Sequence, residues 1–313
     1  MASLKFCANI SWLFTELPEF RERLRAAVCA GFQAVEAPWL YGSEPRELQK
    51  FRQETGLQVA LINTPPGDVE NGELGLGAVP GREQDFREGL AQAVQYAKAL
   101  DCKRIHVMAG RVPLGAKLSE VGVEMETTFV QNLKHAADVL SKEGIMGLIE
   151  PINTRITDPQ YFLNSPHQAA AILEKVDHPN IKLQMKYNYS DYSVQNCLIH
   201  QGHFPLADNG REPDAEYPEI LSLNRQAIHL TSRFEIARGN VFVLLCLCQA
   251  GHIQVAQVPD RHEPDSPGEI NFPYIFKLLE ELGYQGYVGC EYKPLSSTEE
   301  GLGWVKKYWE NKH

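Results

Sequence analysis

The stretch Ile145-Met146-Gly147-Leu148-Ile149-Glu150-Pro151-Ile152-Asn153 decides how this chain is read. Met146–Glu150 has the pattern of a buried strand that ends in a carboxylate. Pro151 has no amide hydrogen to give to a ladder, so the strand stops there. Gln285–Pro294, QGYVGCEYKP, repeats the design with a short apolar strand, then Glu291, then a turn at Pro294. Two strands that each carry a glutamate to the C-terminal end suggest a shared site there. That end is where α/β barrels keep their chemistry.

Working outward, apolar strand patterns begin near residues 4, 33, 57, 104, 146, 181, 252 and 286. Amphipathic helices are predicted between most of them: 16–30, 44–54, 82–100, 118–143 with a possible break at Gly122, 166–176, 271–282 and 298–309. Ser165 followed by Pro166 is a strong helix start. Eight alternating βα units at a spacing of ~31 residues predict a TIM (β/α)8 barrel spanning residues 1–313 as a single domain. An open doubly wound sheet would need a glycine-rich phosphate loop after the first strand. Ala8–Phe14 has no glycine, which removes that alternative and a nucleotide cofactor with it. The loop 68–81 is rich in glycine and should shape a pocket on the strand-exit face.

The interval 186–250 departs from the repeat. It is irregular, polar and aromatic at first and apolar on all sides at its end, and it reads as an atypical insertion or replacement within the sixth βα unit. The segment 234–250 is expected to form a helix in the sixth helix position, with 186–217 as a long loop near the mouth.

The formal charge of −10 and pI of about 5.5 argue against a nucleic-acid face. The longest apolar run, Val241–Cys248, is far short of the ~20 residues that span a bilayer. Seven scattered cysteines without a CxxC pair argue against a zinc ribbon and for reduced core thiols, which with the lack of a leader pattern predicts a cytoplasmic protein.

Among polar residues, Glu150 and Glu291 stand first, because buried carboxylates are costly unless paired or metal-bound. His252 and Gln254 alternate on strand seven and share one face, either toward the site or as a satisfied core pair. Arg261 and Glu263 follow on a turn-rich loop and could hold an anion, or could be an exposed charge run. His200 and His203 lie in the irregular interval without a helical pattern and are not expected to be ligands.

LIEPIN, GHIQVAQVP, PGEINF and VGCEYKP, with FCANISWLF and PGREQDFREGL, resemble the hydroxypyruvate isomerases of the xylose isomerase-like TIM barrels over residues 4–185 and 251–310. The resemblance implies an isomerase that interconverts hydroxypyruvate and 2-hydroxy-3-oxopropanoate, a small hydroxy-carbonyl acid. It implies Glu150 and Glu291 as the proton-transferring pair, with Glu150, Gln254 and Glu291 as ligands of a divalent metal (Mg or Mn). It also implies Arg261 at a substrate-binding position. In the family an aspartate at the end of strand six completes the metal site. Here Lys186 stands in that place. That departure leaves two alternatives: a barrel variant that has lost its metal and activity, or an epimerase or isomerase of the same superfamily acting on a longer sugar.

Overall fold

Parallel strands buried on both faces carry few polar residues, and those few mark the site. In the computed structural model, which describes residues 3–154, 157–187 and 250–310, every strand with a complete burial pattern is buried at its C-terminal end. The strands are β1 (Lys5–Asn9), β2 (Ala34–Glu36), β3 (Gln58–Asn63), β4 (Arg104–His106), β5 (Met146–Ile149), β6 (Ile181–Tyr187), β7 (Ala250–Val255) and β8 (Tyr287–Cys290). They close in chain order into a parallel barrel, β1 pairing with β8 from Lys5↔Tyr287 to Ala8↔Cys290. The predicted (β/α)8 architecture is present.

The described helices are α1 (Phe20–Cys29), α2 (Pro45–Thr55), α3 (Glu83–Leu100), α4 (Leu118–Lys142), α5 (Pro166–Val176), α6 (Phe272–Glu281), α7 (Thr298–Gly301) and α8 (Gly303–Glu310). Ser165 caps α5 by accepting from the Gln168 amide, with Pro166 in the first turn, as its sequence predicts. Asn271 does the same for α6. α4 runs unbroken through Gly122, since one glycine costs a long helix only about 1 kcal/mol. The last predicted helix is two, parted at Leu302. Ala250 opens β7, so the helix predicted over 234–250 cannot include it, and the rest of that segment lies outside the described residues. The loop predicted over 186–217 does not begin at Lys186, because β6 continues through Lys186 to Tyr187; its remainder, with His200 and His203, lies outside the described residues.

Helix packing on β1 and β8 is aromatic. Phe6 meets Trp304 edge-on at 5.1 Å and Phe276 at 5.4 Å, contacts worth about 0.5–1.5 kcal/mol each beyond their burial. The loop 68–81 is pinned over the exit of β4: the Gly77 amide donates to the Met108 carbonyl and the Ala78 amide to Ala109. Gly75 must be glycine there, because a Cβ would come within 2.5 Å of the Met108 side chain. The four described cysteines, Cys7, Cys29, Cys102 and Cys290, are free, and all but Cys29 are buried. No described helix is long and apolar enough to cross a membrane.

Candidate active site

β5 and β8 end one residue before Glu150 and Glu291, and closure of the barrel turns both carboxylates to one place. What joins them is Lys186 near the end of β6. Its ammonium Nζ lies 2.7 Å from Glu291 Oε1 and 3.4 Å from Glu150 Oε1. The three side chains are at most 10% exposed. Arg261 reaches the same Glu291 oxygen with Nη2 at 3.1 Å, and its guanidinium lies 3.8 Å over the Trp12 ring. Glu150 Oε2 accepts from Gln184 Nε2 at 2.8 Å, and His106 Nδ1 is 3.8 Å from it.

A second cluster adjoins the first. Glu36, at the end of β2, is fully buried and accepts from Asn9 Nδ2 at 2.7 Å and Gln254 Nε2 at 2.8 Å. Its other oxygen lies 2.5 Å from His252 Nε2 and accepts from the Cys7 thiol at 3.7 Å. The register between β2 and β3 slips between Val35 and Glu36, an irregularity of the kind that re-aims a side chain at a barrel rim. Gly289 of β8 makes room for it: a Cβ there would collide with Glu36 Oε1. Gln184 links the clusters by donating to Gln254 Oε1 at 3.1 Å as well as to Glu150.

The two glutamates of the first cluster titrate apart. Burial pushes Glu150 up to about 7, with the neighbouring Glu291 charge adding to it and Lys186 only partly opposing. Burial raises Glu291 too, but there Lys186 and Arg261 together outweigh it and hold the carboxyl below its ordinary value. Of the two, Glu150 is therefore the one that more readily holds a proton. Burial and the Lys186 charge lower His106 to about 3, so it is a neutral imidazole. Three buried polar atoms around the pair have no hydrogen-bond partner among the described residues: His106 Nε2, Gln184 Oε1 and Arg261 Nε.

The structure thus brings Glu150, Glu291 and Arg261 together around Lys186, and places Gln254 in the adjoining cluster on Glu36, one hydrogen bond away through Gln184. Glu263 goes elsewhere: it is buried and accepts from the Leu295 amide at 3.1 Å, holding the loop after β8. Gln257 organises the loop that presents Arg261, accepting from the Val258 and Ile270 amides and donating to three carbonyls. His252 and Gln254 do share a face, and that face meets Glu36. Sequence reading passed over Glu36, Gln184 and His106. Glu36 carries the signal already used for Glu150, a glutamate at a strand end. Gln184 and His106 share a quieter one, a polar residue two positions from another in a strand that should be apolar throughout.

A divalent metal bridging Glu150 and Glu291 does not suit this arrangement. The two oxygens that face each other are already on the Lys186 ammonium, and Gln254 has its oxygen on Gln184 and its amide on Glu36. Among the described residues, one trio of His, Cys and carboxylate donors lies close enough for an ion, Cys7, Glu36 and His252; Cys7 and His252 Nε2 are on Glu36, and His252 Nδ1 has no partner among the described residues. Clefts of about 330 Å³ beside Pro65 and about 440 Å³ beside Phe276 include neither glutamate.

A closed barrel with paired carboxylates at its mouth defines a class that the comparisons identify. Residues 24–308 match the xylose isomerase-like TIM barrel family, and the chain belongs to it. Over 313 residues it is 58% identical to a Danio rerio protein called "Putative hydroxypyruvate isomerase", covering 100% of this chain and 98% of that one. It is 35% identical to the hydroxypyruvate isomerase of Escherichia coli strain K12, covering 97% and 99%. The crystal structure of an AP endonuclease, family 2, from Brucella melitensis superposes with a TM-score of 0.73 at 35% identity, covering 97% of this chain and 99% of that one. The chain is thus an isomerase by kinship, and membership rests on its whole length.

Proposed function

We propose that this chain interconverts hydroxypyruvate and 2-hydroxy-3-oxopropanoate by proton transfer between Glu150 and Glu291. The observation that carries the reading is two buried carboxyls held at one place by the Lys186 ammonium, with Arg261 on Glu291 alone; burial favours the acid form of Glu150 while the two cations favour the ionised form of Glu291. Glu291, ionised, removes a proton from the hydroxymethyl carbon, and the C–H electron pair becomes the double bond of an enediolate. Glu150 gives its proton to the adjacent carbon, the former carbonyl carbon, as the enediolate collapses. The hydroxyl proton passes from the first oxygen to the second, so the sum is one hydrogen moved between carbons and none gained or lost. The pair then resets by exchanging one proton with solvent.

The remaining groups suit such a substrate. The Arg261 Nε is available to its carboxylate, and a guanidinium fork is the side chain best shaped for one. His106 Nε2 and the Gln184 oxygen could meet the two oxygens between which the proton moves. Positive charge at Lys186 and Arg261 stabilises the enediolate in a buried site, where such charges act more strongly than in water.

Proton NMR of hydroxypyruvate with the chain in deuterated buffer tests this. The aldehyde product should appear with deuterium at the receiving carbon. Glu150→Gln and Glu291→Gln should each lower kcat by ~100-fold or more. Full turnover in either variant would overturn the assignment. Relatives called 2-oxo-tetronate isomerase, 38% identical in Haemophilus influenzae, motivate a second substrate one carbon longer. Comparing kcat/KM for the two acids decides between them.

A further inference from the structure

We propose that the Lys186 ammonium is the resident cation of this site, standing between Glu150 and Glu291 where a divalent ion would have to stand, so that the site works without one and does not bind one. The proposal deepens the reading of Glu150 and Glu291 as the proton-transferring pair and rests on it for its catalytic part.

Geometry comes first. A hard dication binds carboxylate oxygens at about 2.0–2.2 Å. An ion held by both Glu150 Oε1 and Glu291 Oε1 would need the space between those oxygens, and Nζ occupies it at 3.4 and 2.7 Å. The stem of Lys186 cannot swing the charge into water cheaply, since the side chain is only 9% exposed and its register is set by β6, which pairs with β5 from Ile181↔Gly147 onward. Charge balance agrees. With Arg261 also on Glu291, the two carboxylates already face two cations. A dication added to that group would be repelled by both and attracted by carboxylates that are already paired. The donor set agrees as well, because Gln254, the neutral oxygen nearest in kind to a metal ligand, is committed to Gln184. An ammonium in this position can do what a cation is needed for, which is to hold two carboxylates together and offset charge developing on the substrate oxygens.

The test uses Mn²⁺ itself as the probe, read by electron paramagnetic resonance of the free ion against the purified chain, so that binding is measured apart from turnover. The native chain should leave Mn²⁺ free. Lys186→Asp, which exchanges the ammonium for a third carboxylate, should take up one ion per chain and bind it at least ~10-fold more tightly than native. Adding Glu291→Gln to that variant should release the ion, which fixes the site. Native turnover should be unchanged after exhaustive chelation. Stoichiometric Mn²⁺ on the native chain that Glu291→Gln releases would overturn the proposal, as would turnover lost to a chelator and restored by Mn²⁺. Both of these outcomes are read on the native chain, so they hold even if Lys186→Asp fails to fold. A native chain that binds no Mn²⁺ and turns over nothing would uphold the resident cation and sink the isomerase reading instead.

Discussion

The two polar clusters inside the barrel differ in how completely they are satisfied. Glu36 is closed on both oxygens by Asn9, Gln254, His252 and Cys7, and its cluster leaves one buried atom, His252 Nδ1, without a partner among the described residues. Around Glu150 and Glu291 the count does not close: His106 Nε2, Gln184 Oε1 and Arg261 Nε are buried with no partner among the described residues. Buried polar atoms cost about 1–3 kcal/mol each when left unmade, so a fold tolerates them where a ligand completes them. With three open atoms against one, the Glu150–Glu291 cluster is the place proposed for substrate and the Glu36 cluster its proposed support. Gln184 and Gln254 join the two, so the Glu36 cluster also helps to orient the Glu150 carboxylate.

The largest effect that can break this comparison is at Glu36. Glu36→Ala removes the acceptor from four buried donors at once, and breaking a buried charged network in this way costs about 3–5 kcal/mol. Urea unfolding should show that loss, with Cm falling and the slope kept. Glu150→Gln, by contrast, keeps an acceptor for Gln184 and should leave stability nearly unchanged while turnover collapses. Equal stability losses in the two variants would erase the distinction between support and site.

Acid sharpens the comparison further. His106 has its folded pKa lowered to about 3 from an ordinary 6.5, so the unfolded chain binds more protons between those values. Its neutral burial then contributes stability that is complete above pH 6.5 and is lost as pH falls toward 3, about 3 kcal/mol of it by pH 4. Glu150 acts in the opposite sense. Its folded pKa is raised from 4.5 to about 7, so its contribution is full below 4.5 and is lost as pH rises through 7. Between 4.5 and 6.5 the two oppose each other. His106→Asn should therefore flatten the acid limb of the stability curve, and Glu150→Gln should make that limb begin nearer pH 6.5. Unfolding midpoints at several pH values check both. An acid limb unchanged by His106→Asn would show that the imidazole is not buried neutral.

Much of this was legible in the sequence, for identifiable reasons. Strand order follows from apolar runs at a steady repeat, and helix ends follow from local chemistry such as Ser165-Pro166 and the left-handed Gly56. Glu150 and Glu291 were visible because each interrupts an apolar run just before a proline-bearing turn. β5 ends at Ile149, one residue short of its sequence limit, because Glu150 turns to the Lys186 ammonium rather than continuing the ladder. The partners of Glu36 could not be read, since Cys7, Asn9, Gln254 and His252 come from strands far apart in sequence that only closure brings together. The partnership of Lys186 was hidden for the same reason. Sequence showed a misplaced cation, and only the third dimension put it on both glutamates.

The smallest effect concerns Trp12, and it tests whether the substrate side of the site is as organised as the Glu36 side. Trp12 lies under the Arg261 guanidinium at 3.8 Å, and the backbone at Arg261 has φ of 60°, in the left-handed region that a bulky side chain seldom adopts. A residue held in that conformation needs its surroundings to hold it. One end of the guanidinium is fixed by Glu291 and its face by the indole, which leaves Nε for the substrate carboxylate. A partly desolvated cation–π contact is worth about 1–2 kcal/mol, so Trp12→Leu should raise KM by roughly 10-fold through a less ordered Arg261. It should leave kcat nearly alone, because the carboxyl pair is untouched. Trp12→Phe keeps a π face and should recover most of the loss. If Leu and Phe behaved alike, the indole would be acting only as packing, and Arg261 would owe its position to Glu291 and the Gln257-centred loop alone.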